Sequence, residues 1–288
     1  MELLEVKNLS KHYKSFDLMD ISFTLPRGYI MGYVGPNGSG KTTTLNLITG
    51  IVKCSDGEVY IDGHTCKEDV KTYREQIGYV GDESYFPDNF TAKNIRLALK
   101  DFYTTFSEEK FNAFLQKWNL PEKKQVKDFS RGMKVMLMFA SVLSRDTKLL
   151  ILDEATNGLD PVMRMEILRL LQEYVMDGQR SVIFSTHILS DLEQIADYIY
   201  FIDQGRTILH DAKDEIIESF LLVKGESGAI PPALKRELIG LEENAYGFEA
   251  ILPSGRAELL GNAFLVEKPN IDDIVIHFIK NRENGNRI

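Results

Sequence analysis

Apolar and polar residues alternate along 3–9 and again along 18–25, a period of two that predicts half-buried strands. Residues 29–34 form a nearly continuous apolar run that ends on glycine, as expected of a strand covered on both faces. Residues 41–48 read as a helix, and 58–62 as a further strand before a turn at Gly63. From about 87 to 145 the period becomes helical. Ile95, Leu99, Phe102 and Tyr103 fall on one face, and Phe111, Phe114, Leu115 and Trp118 on the next. Ser107 is placed to cap that second helix, with Glu108 and Glu109 in its first turn. A lysine-rich stretch, Lys123, Lys124 and Lys127, reads as a solvated connection.

Strand patterns return at 149–152, 182–185 and 199–202, separated by helical ones; Asp160 followed by Pro161 starts one of these helices as cap and first residue. Strands alternating with helices imply a parallel sheet covered on both faces, with the block at 87–145 inserted into it. Beyond about 211 the pattern changes again. Short strands are expected at 220–223, 248–252 and 263–266, a closing helix at 271–280, and no regular structure in the tail ENGNRI. No internal repeat is visible.

Composition narrows the classes. A net charge of -9 disfavours a sequence-independent nucleic-acid binder, which needs Lys and Arg for phosphate contacts, and no nucleic-acid partner is expected. The longest apolar stretch, 135–143, is far shorter than the roughly 20 residues of a spanning helix, and residues 1–14 lack a signal-peptide core. A membrane role would therefore come through a partner. Two cysteines, Cys54 and Cys66, give no disulfide framework; His64 lies near Cys66, but the spacing matches no zinc pattern and favours ordinary packing in a strand pair.

The chemistry starts at Gly35-Pro36-Asn37-Gly38-Ser39-Gly40-Lys41-Thr42, followed by Thr43. Phosphate oxygens need several donors converging at short range. Glycines let successive backbone N–H groups turn inward, and the positive end of the next helix adds to them. Lys41 is expected to bridge β- and γ-phosphates and Thr42 to bind Mg²⁺. The second element is Asp153-Glu154, delivered at the end of the apolar run 149–152. Strand alternation points the two carboxylates in different directions. Asp153 can then hold the metal, and Glu154 can activate the attacking water as general base.

With these motifs in order, residues 1–210 resemble the nucleotide-binding subunit of ABC transporters. That resemblance implies a signature sequence, usually LSGGQ, at a helix start. Here Phe129-Ser130-Arg131-Gly132-Met133 stands in its place, matching at Ser130 and Gly132. In the family this segment faces the γ-phosphate held by a second subunit, so two ATP molecules are sandwiched head to tail. Residues 157–160 resemble the D-loop, with Asn157 where serine is commoner. His187 resembles the switch histidine, and Tyr13 the aromatic that stacks on adenine. The clearest departure is at Asp82, where the family has glutamine. An aspartate there could ligate Mg²⁺, yet it puts negative charge near the γ-phosphate.

The resemblance thus implies an α/β P-loop NTPase of the ABC ATPase type. It would have a mixed sheet core at 1–210, an inserted helical subdomain, and a small C-terminal α/β appendage at 211–288. The expected activity is ATP hydrolysis with Mg²⁺, powering transport from the cytoplasmic face of the membrane. The expected partners are a separate permease and a second ATPase subunit. The departures look closest to bacterial ABC-2-like exporters. The alternative is a soluble ABC ATPase acting in assembly or regulation, although the translation type usually carries two cassettes per chain and this chain has one.

Overall fold

The computed structural model describes residues 2–226, 228, 230–261 and 263–284. Along the chain, β1 (Glu2–His12) and β2 (Asp17–Pro26) form an antiparallel pair, followed by β3 (Ile30–Val34) and α1 (Lys41–Ile48). Next come β4 (Asp56–Ile61), β5 (His64–Thr65), α2 (Val70–Glu75) and β6 (Ile77–Gly81). The inserted helices are α3 (Ala92–Phe102), α4 (Glu108–Lys117) and α5 (Arg131–Leu143). The chain returns through β7 (Leu149–Asp153), α6 (Pro161–Val175), β8 (Ser181–Ser185), α7 (Leu189–Ile195), β9 (Tyr198–Asp203) and β10 (Arg206–Ala212).

A six-stranded sheet has the order β10-β9-β3-β8-β7-β6, parallel except for β10. Strand alternation sorts its side chains into two cores. Ile30, Val34, Leu150, Leu152, Val182 and Phe184 face the helices, whereas Met31, Tyr33, Leu149, Ile151 and Ile183 face α1 and the antiparallel sheet β2-β1-β4-β5. This two-sided burial is why 149–152 and 182–185 are apolar at every position.

The helix starts follow side-chain chemistry. The Thr91 hydroxyl and the Asn94 side chain cap α3 reciprocally, Ser107 accepts from the Lys110 N–H, and Asp160 accepts from the Val162 and Met163 N–H groups. Phe102 departs from expectation. It is 75% exposed, because the chain leaves the helix after it and Tyr103 turns back to stack on the Arg145 guanidinium at 3.9 Å. Lys123, Lys124 and Lys127 are exposed.

The C-terminal region contains α8 (Lys213–Glu218), β11 (Phe220–Gly225), α9 (Pro232–Lys235), β12 (Ile239–Asn244), β13 (Gly247–Pro253), β14 (Leu265–Glu267) and α10 (Ile271–Glu283). Its antiparallel sheet has the order β12-β13-β11-β14. β14 begins two residues later than the pattern at 263–266 implies. Ile271, Ile274, Val275 and Phe278 of α10 join the same apolar cluster as Ile199 and Phe201 of β9, so the appendage is packed onto the main sheet. Of the tail, Glu283 ends α10 and residues 285–288 lie outside the described residues. Among the described residues, no helix is long and apolar enough to cross a membrane.

Candidate nucleotide site

β3, an interior strand, delivers the glycine loop to the C-terminal end of the parallel sheet, and the loop folds tightly against its neighbours. A Cβ at Gly35 would collide with the Ile202 carbonyl and lie 2.6 Å from Ser39 Oγ. Gly38 and Gly40 adopt φ of +76° and +111°, a region that L side chains rarely reach. A Cβ at Gly40 would lie 3.0 Å from Phe16, which therefore flanks the loop. Gly40 caps α1 without any side-chain hydrogen bond, so the first N–H groups of that helix are left for a ligand. Pro36, Asn37 and Ser39 complete the loop, with the Ser39 carbonyl anchored by the Gly205 N–H at 2.8 Å.

Lys41 is buried. Its ammonium donates to the Gly35 carbonyl at 2.8 Å and the Pro36 carbonyl at 3.2 Å, and lies 3.6 Å from Glu154 Oε1. Burial lowers its pKa, with the Glu154 and Asp153 charges opposing that shift. Thr42 is exposed and Thr43 half-buried on the first turn of α1.

Asp153 ends β7 and is itself buried. Burial pushes its carboxyl above the ordinary aspartate value; hydrogen bonding to Thr42 opposes this, and the Glu154 charge adds to it. Tyr79 on the neighbouring strand approaches Asp153 Oδ2 at 3.4 Å, while the buried Oδ1 has no hydrogen-bond partner. A buried carboxylate oxygen with nothing to accept from, beside a threonine hydroxyl, fits an all-oxygen Mg²⁺ site.

Glu154 follows with φ of +55°, left-handed backbone for a non-glycine residue. Its N–H donates to the Ser185 carbonyl at 3.0 Å, which turns its side chain away from Asp153 toward α1. Glu154 Oε1 lies 2.7 Å from His187 Nε2, and Oε2 accepts from Asn157 Nδ2 at 3.2 Å. Lys41 thus converges at one point with Glu154 and His187, both more than a hundred residues further along the chain.

The other expected site residues take no part in the contacts that join Lys41, Glu154 and His187. Ser130 caps α5, its hydroxyl accepting from the Met133 N–H at 3.2 Å, and Gly132 packs so closely on Met163 that no Cβ fits without moving that side chain. Neither takes part in the hydrogen bonds of the Lys41–Glu154 cluster. Tyr13 is 46% exposed, with Lys11 above its ring at 5.6 Å. Asp82, expected at the metal, is ion-paired with Arg131 at the start of α5. The physical reason is local: a guanidinium at the positive end of a helix needs a carboxylate, and the first turn of α5 supplies none. Tyr79, Phe16 and Arg131 are the residues the sequence reading passed over. For Arg131 the signal was present as one of three departures within the signature segment, with Phe129 and Met133. Among the described residues, no group of three His, Cys, Asp or Glu is arranged to hold a metal; His64 sits in the short β4–β5 pair.

The family model for ABC transporters matches residues 18–157. The ABC transporter ATP-binding protein YhcH of Bacillus subtilis is 31% identical over 275 residues, 93% of this chain and 82% of its own length. The lantibiotic transport ATP-binding protein SrtF of Streptococcus pyogenes is 34% identical over 224 residues, 76% of this chain and 96% of its own. A solved ATP-binding subunit of an ABC transporter superposes with a TM-score of 0.69 at 28% identity, covering 74% of this chain and 91% of that one. Sequence similarity that spans nearly the whole relative, on a fold with the same P-loop sheet, decides the matter: this chain belongs to the ATP-binding proteins of ABC transporters, and its activity is ATP hydrolysis.

Proposed function

We propose that the chain energises an exporter, docked at the cytoplasmic face of the membrane on a separate permease and paired head to tail with a second ATPase subunit. The observation that carries the catalytic part is the meeting of Lys41, Glu154 and His187 at the mouth of the glycine loop. The triphosphate lies in the loop 35–43. Lys41 exchanges its Gly35 and Pro36 carbonyl contacts for phosphate oxygens, and the free N–H groups of α1 complete the cradle. Tyr13 stacks on the adenine, and Ser130 and Gly132 of the second subunit close over the γ-phosphate.

Glu154 accepts the proton of the attacking water, and Asn157 and His187 hold its two oxygens in place. His187 then reports the γ-phosphate. Thr42 and Asp153 hold Mg²⁺, which when bound supplies positive charge for the β- and γ-phosphate oxygens. The export direction rests on the Phe129–Met133 variant and on Asp82, both of which resemble ABC-2-like exporters. The name of the relative SrtF, a lantibiotic transport protein, agrees with it.

Glu154→Gln is the test. Phosphate release is expected to fall about a hundredfold or more. ATP binding should persist, and size-exclusion chromatography should show an ATP-dependent dimer. Unchanged turnover would remove Glu154 from the role of base.

A further inference from the structure

Two departures from the family pattern, Asp82 in place of glutamine and Arg131 in place of the first signature glycine, meet in this structure as an ion pair. They lie 49 positions apart in the chain, and nothing in the sequence alone links them.

Asp82 stands close to the phosphate end of the site. It follows Gly81, which is directly opposite Asp153 in the register of β6 and β7. Tyr79, three residues earlier, is the group that approaches the Asp153 carboxylate. An ionised Asp82 therefore adds negative charge next to Asp153 and Glu154, where a triphosphate must also be accommodated. The cleft beside it is lined by three carboxylates, Asp82, Glu83 and Asp88, against two cations, Arg131 and Lys134. Arg131 is held on two sides. Its guanidinium pairs with Asp82, and its side chain runs over Gly158, with Nε 3.5 Å from where a Cβ of that residue would lie. Both partners are roughly half exposed, so the pair itself adds little stability. What it changes is the local charge.

We propose that Arg131 is a positioning residue that neutralises Asp82, so that a site with an aspartate at its edge still accepts a triphosphate. In this chain the aspartate and the arginine are one unit: either substitution alone alters the charge at the site, and both together leave it unchanged. The inference rests on the reading of the glycine loop as the triphosphate site.

The test is titration of the full-length chain with fluorescent ATP and ADP analogues, with Mg²⁺ and with EDTA. Arg131→Met is expected to weaken ATP binding about five- to tenfold, and ADP binding less, with the defect shrinking as salt is raised. Asp82→Asn alone should bind ATP at least as tightly as the wild type. Asp82→Asn combined with Arg131→Met should return to within about twofold of wild type, as expected when an uncompensated charge is the whole defect. Arg131→Lys keeps the charge and should keep the affinity, which covers the case that the methionine variant folds poorly.

The proposal is overturned if the double variant binds as weakly as Arg131→Met, if Arg131→Lys loses as much as Arg131→Met, or if Arg131→Met binds ATP normally. It is also overturned if Asp82→Asn weakens ATP binding in Mg²⁺ but not in EDTA, since Asp82 would then be a metal ligand. Wild-type protein that binds ATP no better than Lys41→Met would instead defeat the assignment of the glycine loop.

Discussion

The nucleotide end of the main sheet and the seam between that sheet and the appendage are both polar, yet they treat buried polar groups in opposite ways. Around the glycine loop, Asp153 Oδ1, Ser39 Oγ and Ser185 Oγ are buried without hydrogen-bond partners, and Glu154 is held in left-handed backbone. At the seam the groups are matched. Arg282 Nη1 donates to both oxygens of buried Asp203, at 2.6 and 2.7 Å. Within the appendage, His277 Nδ1 lies 2.8 Å from the Gly240 carbonyl, and Asn281 accepts from the Gly240 N–H. Among the described residues of the appendage, only Asp272 carries a buried polar side-chain atom left alone. The difference teaches what each region is for. A seam that only holds the molecule together satisfies its own groups, whereas a site that must receive phosphate and metal keeps donors, acceptors and strain in reserve.

If that contrast is right, substitutions at the seam should destabilise the fold, and substitutions at the site should relieve it. The largest effect is expected at Phe278, which meets Phe201 and Phe220 edge-on with ring centroids 6.1 and 5.5 Å away. Phe278→Ala should cost about 3–5 kcal/mol in urea unfolding. A change below about 1 kcal/mol would mean the appendage is not packed as described.

Arg282→Met comes next, because it strands the Asp203 carboxylate in a buried position. A loss of about 2 kcal/mol is expected, reduced from the fully buried case because Arg282 is partly exposed. Asp203→Asn in the Arg282→Met background should recover part of it. Absence of any recovery would show that the stranded charge is not the cause.

At the site the sign reverses. Asp153→Asn should abolish most turnover and yet stabilise the nucleotide-free protein, by something on the order of 1 kcal/mol. The pH dependence follows from burial raising the folded-state pKa of Asp153. Below the unfolded value both states hold the proton, and the buried group costs nothing. As pH rises through the raised folded value, the desolvated charge becomes a penalty. The advantage of the asparagine should therefore be present at neutral pH and fade as the solution is acidified toward the ordinary aspartate range. A constant difference across that range would point to some cause other than charge.

The smallest effect belongs to Glu154→Gly. Releasing the left-handed backbone should add about 0.5–1 kcal/mol of stability in thermal unfolding. A destabilised variant would show that contacts of the Glu154 side chain outweigh its backbone strain.

Much of this molecule was legible before folding was considered. The period-two stretches at 3–9 and 18–25 became β1 and β2, the apolar runs became the parallel strands, and Ser107 and Asp160 capped the helices they precede. These readings succeed because they depend on neighbours a few residues apart. The short β10, β12, α8 and α9 left no clear pattern, since they are amphipathic over too few residues to show a period. Phe102 matched the period of its helix but fell where the helix stops.

The glycine loop, Lys41, Thr42 and the Asp153-Glu154 pair were written in the sequence by residue type and spacing, because phosphate and metal binding restrict which residues can serve. The tertiary structure alone decided which distant groups share a charge environment: His187 on Glu154, Tyr79 beside Asp153, and Arg131 on Asp82. Local sequence fixes backbone periodicity, but electrostatic partners are chosen by proximity in space, and that depends on how strands far apart in the chain are ordered in the sheet.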